Sequence, residues 1–159
     1  MIKQKIKWKT LVLSLLLPLL VGLTSSLITR EATKDFQYLE KPPLSPPGAV
    51  FGIVWTLLYI LMGVAFYIVI REAAGQERTA VAVRNYLVSL GFNFFWSIIF
   101  FNFGAYFLAF LWLLLLLYFV VKTAIGFFGI NKWAGILFIP YIAWVVFAGY
   151  LNIAIAFLN

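Results

Sequence analysis

The chain has 159 residues, 65% of them hydrophobic and only 11% charged, against about 25% charged in an ordinary soluble domain. It contains no cysteine and no histidine, which excludes a disulfide framework, a thiolate or imidazole metal site and an imidazole general base. The net charge of +7 sits beside long apolar runs, a placement that suits lipid headgroups and not nucleic acid.

A membrane-spanning helix needs about 20 apolar residues, and five stretches supply them: 8–29, 48–70, 80–101, 105–125 and 132–158. No internal repeat or low-complexity linker divides them. The expected fold is an all-α integral membrane protein, a five-helix bundle in a single domain, 1–159. The first stretch, LVLSLLLPLLVGL behind Lys3, Lys5, Lys7 and Lys9, also reads as a signal peptide. Its length and the lack of a small-residue cleavage site favour a retained helix.

The first connection holds PPLSPPG. Ser45 is expected as the N-cap of the second span, with Pro46 and Pro47 at its first helical positions. Pro42 and Pro43 hold the residues before them extended, so the loop reads as a stiff strap, a lid over one end of the bundle. The second span carries Trp55 and Tyr59, four apart and on one face. Gly48 and Gly52 fit a small-x3-small pattern that permits close helix approach, as do Ala105 and Ala109.

The third span places Ser89, Asn93 and Ser97 at steps of four, with Trp96 beside them. It reaches the fourth through a few residues around Asn102 and Gly104, so the two are antiparallel neighbours. Trp112 in the fourth span, among leucines, reads as packing. The fifth span carries Trp144, Ala148 and Asn152, again at steps of four. Amides in mid-membrane face protein or a cavity, because lipid offers no hydrogen bond. Two readings stand for Trp55, Asn93 and Trp144: interhelical packing, or the wall of a flat apolar pocket. Asn152 reads as a link between helices. Trp8 and Trp133, beside lysines at span ends, read as interfacial anchors.

Nine basic residues fall on the side of the N-terminus and the second and fourth connections: Lys3, Lys5, Lys7, Lys9, Arg71, Arg78, Arg84, Lys122 and Lys132. The other side has three, Arg30, Lys34 and Lys41. The bias predicts a cytoplasmic N-terminus and an outward-facing strap.

YLEKPPLSPPGAVFGIVWTLLYILMGVAFYIV, NFFWSIIFF and PYIAWVVFAGYLNIAIAFLN resemble the TspO/MBR family of tryptophan-rich sensory proteins and mitochondrial translocator proteins, in the family's order and over nearly the whole chain. The resemblance implies five transmembrane helices, a homodimer, and a pocket for porphyrin, haem and synthetic aromatic ligands capped by the first loop. It also implies the ligand contacts Trp55, Tyr59, Asn93, Trp96, Trp144 and Ala148, with Pro46 and Pro47 at the pocket mouth. Three departures bear on it. Ser89 replaces a family glutamine, Leu44 stands where many members have tryptophan, and no basic residue follows Tyr150, which leaves the family's sterol motif incomplete.

The expected function is a tetrapyrrole-binding sensory or regulatory protein of the bacterial cytoplasmic membrane. Its partners are porphyrin or haem, lipid and a second copy; no cofactor is obligatory and no metal site is expected. Lacking His and Cys, it offers no strong axial ligand for haem iron. A transporter is the alternative, although no span holds an Asp, Glu or His for a proton relay. The pocket has no catalytic acid or base. Light-driven degradation of a bound porphyrin, which the resemblance implies for some bacterial members, would draw its chemistry from the pigment.

Overall fold

The computed structural model describes residues 5–73 and 77–159; Lys3, one of the residues that set the expected orientation, lies outside them. The described chain is helical, without a strand. Its helices are α1 (Trp8–Thr29), α2 (Ala32–Asp35), α3 (Gly48–Ala73), α4 (Glu77–Ser97), α5 (Tyr106–Ile130), α6 (Lys132–Ile136) and α7 (Ile139–Leu158). A 3-10 turn, Phe36–Tyr38, follows α2, and a π turn, Ile98–Asn102, extends α4.

Among the described residues, four segments are long and apolar enough to cross a membrane: Trp8–Thr29, Gly48–Glu72, Tyr106–Ile130 and Lys132–Leu158. The expected count of five is not met on length and composition, because α4 falls short. The polar residues that lower its hydropathy are divided by position. Glu77, Arg78 and Arg84 are exposed, whereas Thr79, Ser89 and Asn93 are buried against protein.

The last segment is two helices, not one. Pro140 has no N–H to give to the Ile136 carbonyl and restricts Ile139 before it, so the chain turns at Leu137 and Phe138 before α7 begins. Asn131 starts α6 by accepting hydrogen bonds from the Trp133 and Ala134 amides (2.8 and 3.2 Å). Its Nδ2 donates to both Glu72 carboxylate oxygens (2.9 and 2.8 Å), fastening α6 to the end of α3.

α4 packs antiparallel on α5, as their short joint requires, while α1 packs on α3 and α5 on α7. Lipid is as apolar as leucine, so shape and polarity decide which face turns inward. α1 shows this. Its leucines 13, 16, 20, 23 and 27 are exposed, and its buried residues are Ser14, Pro18, Ser25 and Thr29. Gly63 of α3 sits against the α1 backbone so closely that an added Cβ would lie 2.8 Å from the Ser14 oxygen.

The close approach expected at Gly48 and Gly52 is absent. A Cβ at Gly48 or Gly52 would meet nothing within 4 Å; these glycines border open space. Trp112 is also more than packing. Its Nε1 donates to the Phe92 carbonyl of α4 (2.8 Å), a backbone partner that a list of side chains does not reveal.

Candidate functional site

A cavity of about 770 Å³ lies among α1, α3, the end of α4 and α7, beneath the strap. Its size falls within the roughly 300–1,000 Å³ of small-molecule pockets. The helical repeat of four stacks Trp55 on Tyr59 along α3, with centroids 5.7 Å apart and planes 28° apart. Trp96 of α4 stands 6.3 Å from Trp55. The π turn then brings two consecutive rings, Phe100 and Phe101, to the same wall. Its wide register is marked by the Phe103 amide, which donates back to the Ile98 carbonyl (3.2 Å). Phe36 closes the corner, 6.0 and 5.5 Å from those rings.

Two amides lock these rings from behind. The Tyr59 hydroxyl donates to Asn93 Oδ1 (2.8 Å), and Asn93 Nδ2 donates to the Tyr141 hydroxyl (2.7 Å), joining α3, α4 and α7. Trp96 Nε1 donates to Asn152 Oδ1 (3.0 Å), and Asn152 Nδ2 donates to the Tyr106 carbonyl (2.8 Å). An aromatic wall so held keeps its shape when empty, which lowers the cost of ordering it around a ligand.

Among the described residues, no Asp, Glu, Lys or Arg lines the cavity. Its polar groups include the neutral side chains of Ser25, Ser26 and Thr29 on α1 and Thr33 on α2, with Thr56, Ser97 and Asn152 opposite. Thr29 and Thr56 give their hydroxyl protons to the Ser25 and Gly52 carbonyls (2.9 and 2.8 Å), so their oxygens can still accept.

The strap is pinned at several points. The Ser45 amide and hydroxyl both donate to the Pro42 carbonyl (3.4 and 2.8 Å), closing a turn around Pro43 and Leu44. Leu44 stands at φ +69°, a region that glycine favours. The Tyr150 hydroxyl of α7 donates to the Pro43 carbonyl (3.0 Å). Asn159 grips Glu40 twice: the Glu40 amide donates to Oδ1, and Nδ2 donates to the Glu40 carbonyl, both at 3.0 Å. Ser45 therefore closes the turn and does not cap α3. The Pro47 carbonyl accepts the Val50 amide (2.9 Å), and the helix starts at Gly48. Pro46 and Pro47 precede the helix, with Pro47 at the cap position.

A profile of the TspO/MBR family matches residues 14–158. The chain belongs to the TspO/MBR family. It is similar to the tryptophan-rich protein TspO of Archaeoglobus fulgidus, 34% identical over 150 residues, 94% of this chain and 96% of that one. It is 36% identical over 124 residues to the tryptophan-rich sensory protein of Cereibacter sphaeroides, covering 78% and 76% of the two chains. With the translocator protein of Bos taurus it shares 34% over 139 residues, 86% and 82% of the two. Family membership and the apolar helices make it an integral membrane protein.

Of the eight residues singled out from sequence, Trp55, Tyr59, Trp96, Ala148 and Pro46 meet on the cavity wall. Asn93, Trp144 and Pro47 are not on it. Asn93 is buried behind Tyr59, with both ends of its amide engaged. Trp144 stands behind Phe51, a wall residue, in an edge contact at 5.4 Å. Its buried Nε1 has no hydrogen-bond partner among the described residues. Asn152 both links helices and lines the wall. Ser89 gives its hydroxyl to the Tyr86 carbonyl (2.7 Å) and is also off the wall. The α1 hydroxyls and the Phe100–Phe101 pair were missed. The signal for α1 was available, since Ser25 and Thr29 stand four apart on a leucine-rich helix.

Proposed function

We propose that this TspO/MBR protein binds a flat, largely apolar tetrapyrrole and acts as a membrane sensor or regulator of porphyrin or haem. The observation that carries the reading is the strapped cavity of about 770 Å³, walled by Trp55, Tyr59, Trp96 and Phe100 without an ionised side chain. Aromatic faces stack on a macrocycle, and the neutral hydroxyls of α1 accept or donate hydrogen bonds at its edge. Lys41 holds its ammonium 4.9 Å from the Phe36 ring, beside the wall, where it meets a porphyrin carboxylate at the rim.

In this reading α4 is the fifth transmembrane helix, its buried Ser89 and Asn93 shielded from lipid. The N-terminus lies in the cytoplasm of a bacterial cell, the strap faces outward and the protein works as a homodimer. The wall offers iron no imidazole or thiolate, so protoporphyrin and haem bind within about tenfold of each other.

The test is a titration of purified protein with protoporphyrin and with haem, followed by tryptophan fluorescence. Saturable quenching is expected, and Trp55→Ala should weaken binding by about tenfold or more, the equivalent of roughly 1.4 kcal/mol. Trp133→Ala, at an exposed site far along the chain from the wall residues, should not. Absence of saturation, or equal affinity in Trp55→Ala, refutes the proposal.

A further inference from the structure

The cavity is not sealed on the side facing the bilayer. Its deep wall is buried: Trp96, Ala148, Leu151, Asn152 and Ile155 are at most 6% exposed. The lining residues left exposed belong largely to two neighbouring helices, Leu23 and Ser26 on α1 and Gly48, Gly52 and Thr56 on α3. Gly48 to Thr56 covers roughly 12 Å of helix at about 1.5 Å per residue, so the opening runs down the flank of the bundle.

The gap has a structural cause. α1 and α3 touch where Gly63 meets the backbone of Ser14 and Leu15, and again where Tyr59 lies on Gly22. Beyond these contacts they part, and side chains added at Gly48 or Gly52 would enter empty space. Both helices are apolar enough to cross a membrane. The residues flanking the gap, Leu20, Leu27, Ile53 and Leu57, are 52–61% exposed, a surface for acyl chains. A second, independent observation opposes entry from above: Tyr150 and Asn159 hold the strap down by three hydrogen bonds.

The geometry points to a lateral portal: an apolar ligand dissolved in the bilayer enters edge-first between Leu23 and Ser26 of α1 and Gly48, Gly52 and Thr56 of α3. The strap is the roof of the chamber and not its door. This inference rests on the chamber being a ligand site, as proposed above. It names the ligand as one that partitions into lipid, and it makes Gly52 the gate residue. A substitution that narrows this portal raises the barrier equally for entry and for exit.

The experiment uses the full chain in phosphatidylcholine vesicles, mixed by stopped flow with vesicles carrying protoporphyrin, with tryptophan quenching as the readout. Gly52→Leu should slow association by about tenfold or more, and dissociation should slow with it. Leucine is the better helix former, and a Cβ at position 52 meets nothing within 4 Å. Thr56→Leu, on the same lip, should act in the same direction. Unchanged rates in both variants overturn the portal. So does weaker binding with unchanged association, which would make Gly52 part of the wall. Failure of the unaltered protein to bind protoporphyrin overturns the ligand reading itself, and the portal with it.

Discussion

The hold of α7 on the strap can be weighed bond by bond. Tyr150→Phe removes the hydroxyl that reaches Pro43 but keeps the ring beside Phe147. Asn159→Ala removes the two bonds to Glu40. Each such bond contributes about 0.5–1.5 kcal/mol net. Tyr150, Asn159 and Glu40 are exposed, so water re-solvates the freed backbone groups and the low end applies. Three bonds at roughly 0.5–0.7 kcal/mol give about 1.5–2 kcal/mol, or a 10–30-fold shift of the strap toward open forms. Hydrogen exchange read at individual amides tests this. The Glu40 amide loses its own partner and must exchange faster in any case. The Ser45 amide is bonded to Pro42 within the strap and touches neither deleted group. If α7 holds the whole strap, exchange at Ser45 should rise about 10–30-fold in the double variant. A rise at Glu40 alone would refute the reasoning, and the strap would then owe its shape to its own turn and prolines.

Three further outcomes are expected. Replacing Pro42 and Pro43 by glycine should weaken porphyrin binding by about 1–2 kcal/mol, at roughly 0.4–1 kcal/mol per residue; release should quicken while association holds, and equal release rates would contradict this. Leu44→Gly should stabilise the turn by up to about 1 kcal/mol, because relief of the left-handed conformation, about 1–2 kcal/mol, outweighs the added open-state entropy of about 0.4–1 kcal/mol; slower exchange at Ser45 is the measure. Gly22→Ala would drive a methyl into the Tyr59 ring, forcing it off Asn93 and lowering stability by about 1–3 kcal/mol, as a thermal melt would report.

Much of the fold was legible because helix length and antiparallel joining follow from apolar runs and short connections. Trp55, Tyr59 and Trp96 were legible for a similar reason, since steps of four fix a face. The depth of each residue behind that face was not. Asn93 and Asn152 share residue type, mid-helix setting and spacing, yet only Asn152 reaches the cavity. Their difference lies in partners from other helices, Tyr59 and Tyr141 for one and Trp96 and Tyr106 for the other. The break before α7 was written in Pro140 and was overlooked in an otherwise continuous apolar run. The role of Gly48 and Gly52 could not be read locally. A glycine that admits a neighbouring backbone and a glycine that leaves a gap look alike until the neighbour's course is known.

The inner stripe of α1 joins these points. Ser14, Pro18, Gly22, Ser25 and Thr29 follow one another at steps of three or four, a small and polar row on a helix otherwise sheathed in leucine. Over its first half the row is packing, with Gly63 pressed against the Ser14 and Leu15 backbone. At Gly22 it supports the Tyr59 ring. From Ser25 onward α3 has moved away, and the same row becomes the hydroxyl-bearing wall of the cavity. No change of composition marks the transition, because small polar residues serve both tasks in lipid: they let helices touch, and where helices part they offer the few hydrogen bonds the surroundings lack. The chamber is thus a continuation of the packing interface by the same residues. A single helix crossing, set by Gly63 and Gly22, determines how wide the chamber opens and where its flank is left unsealed.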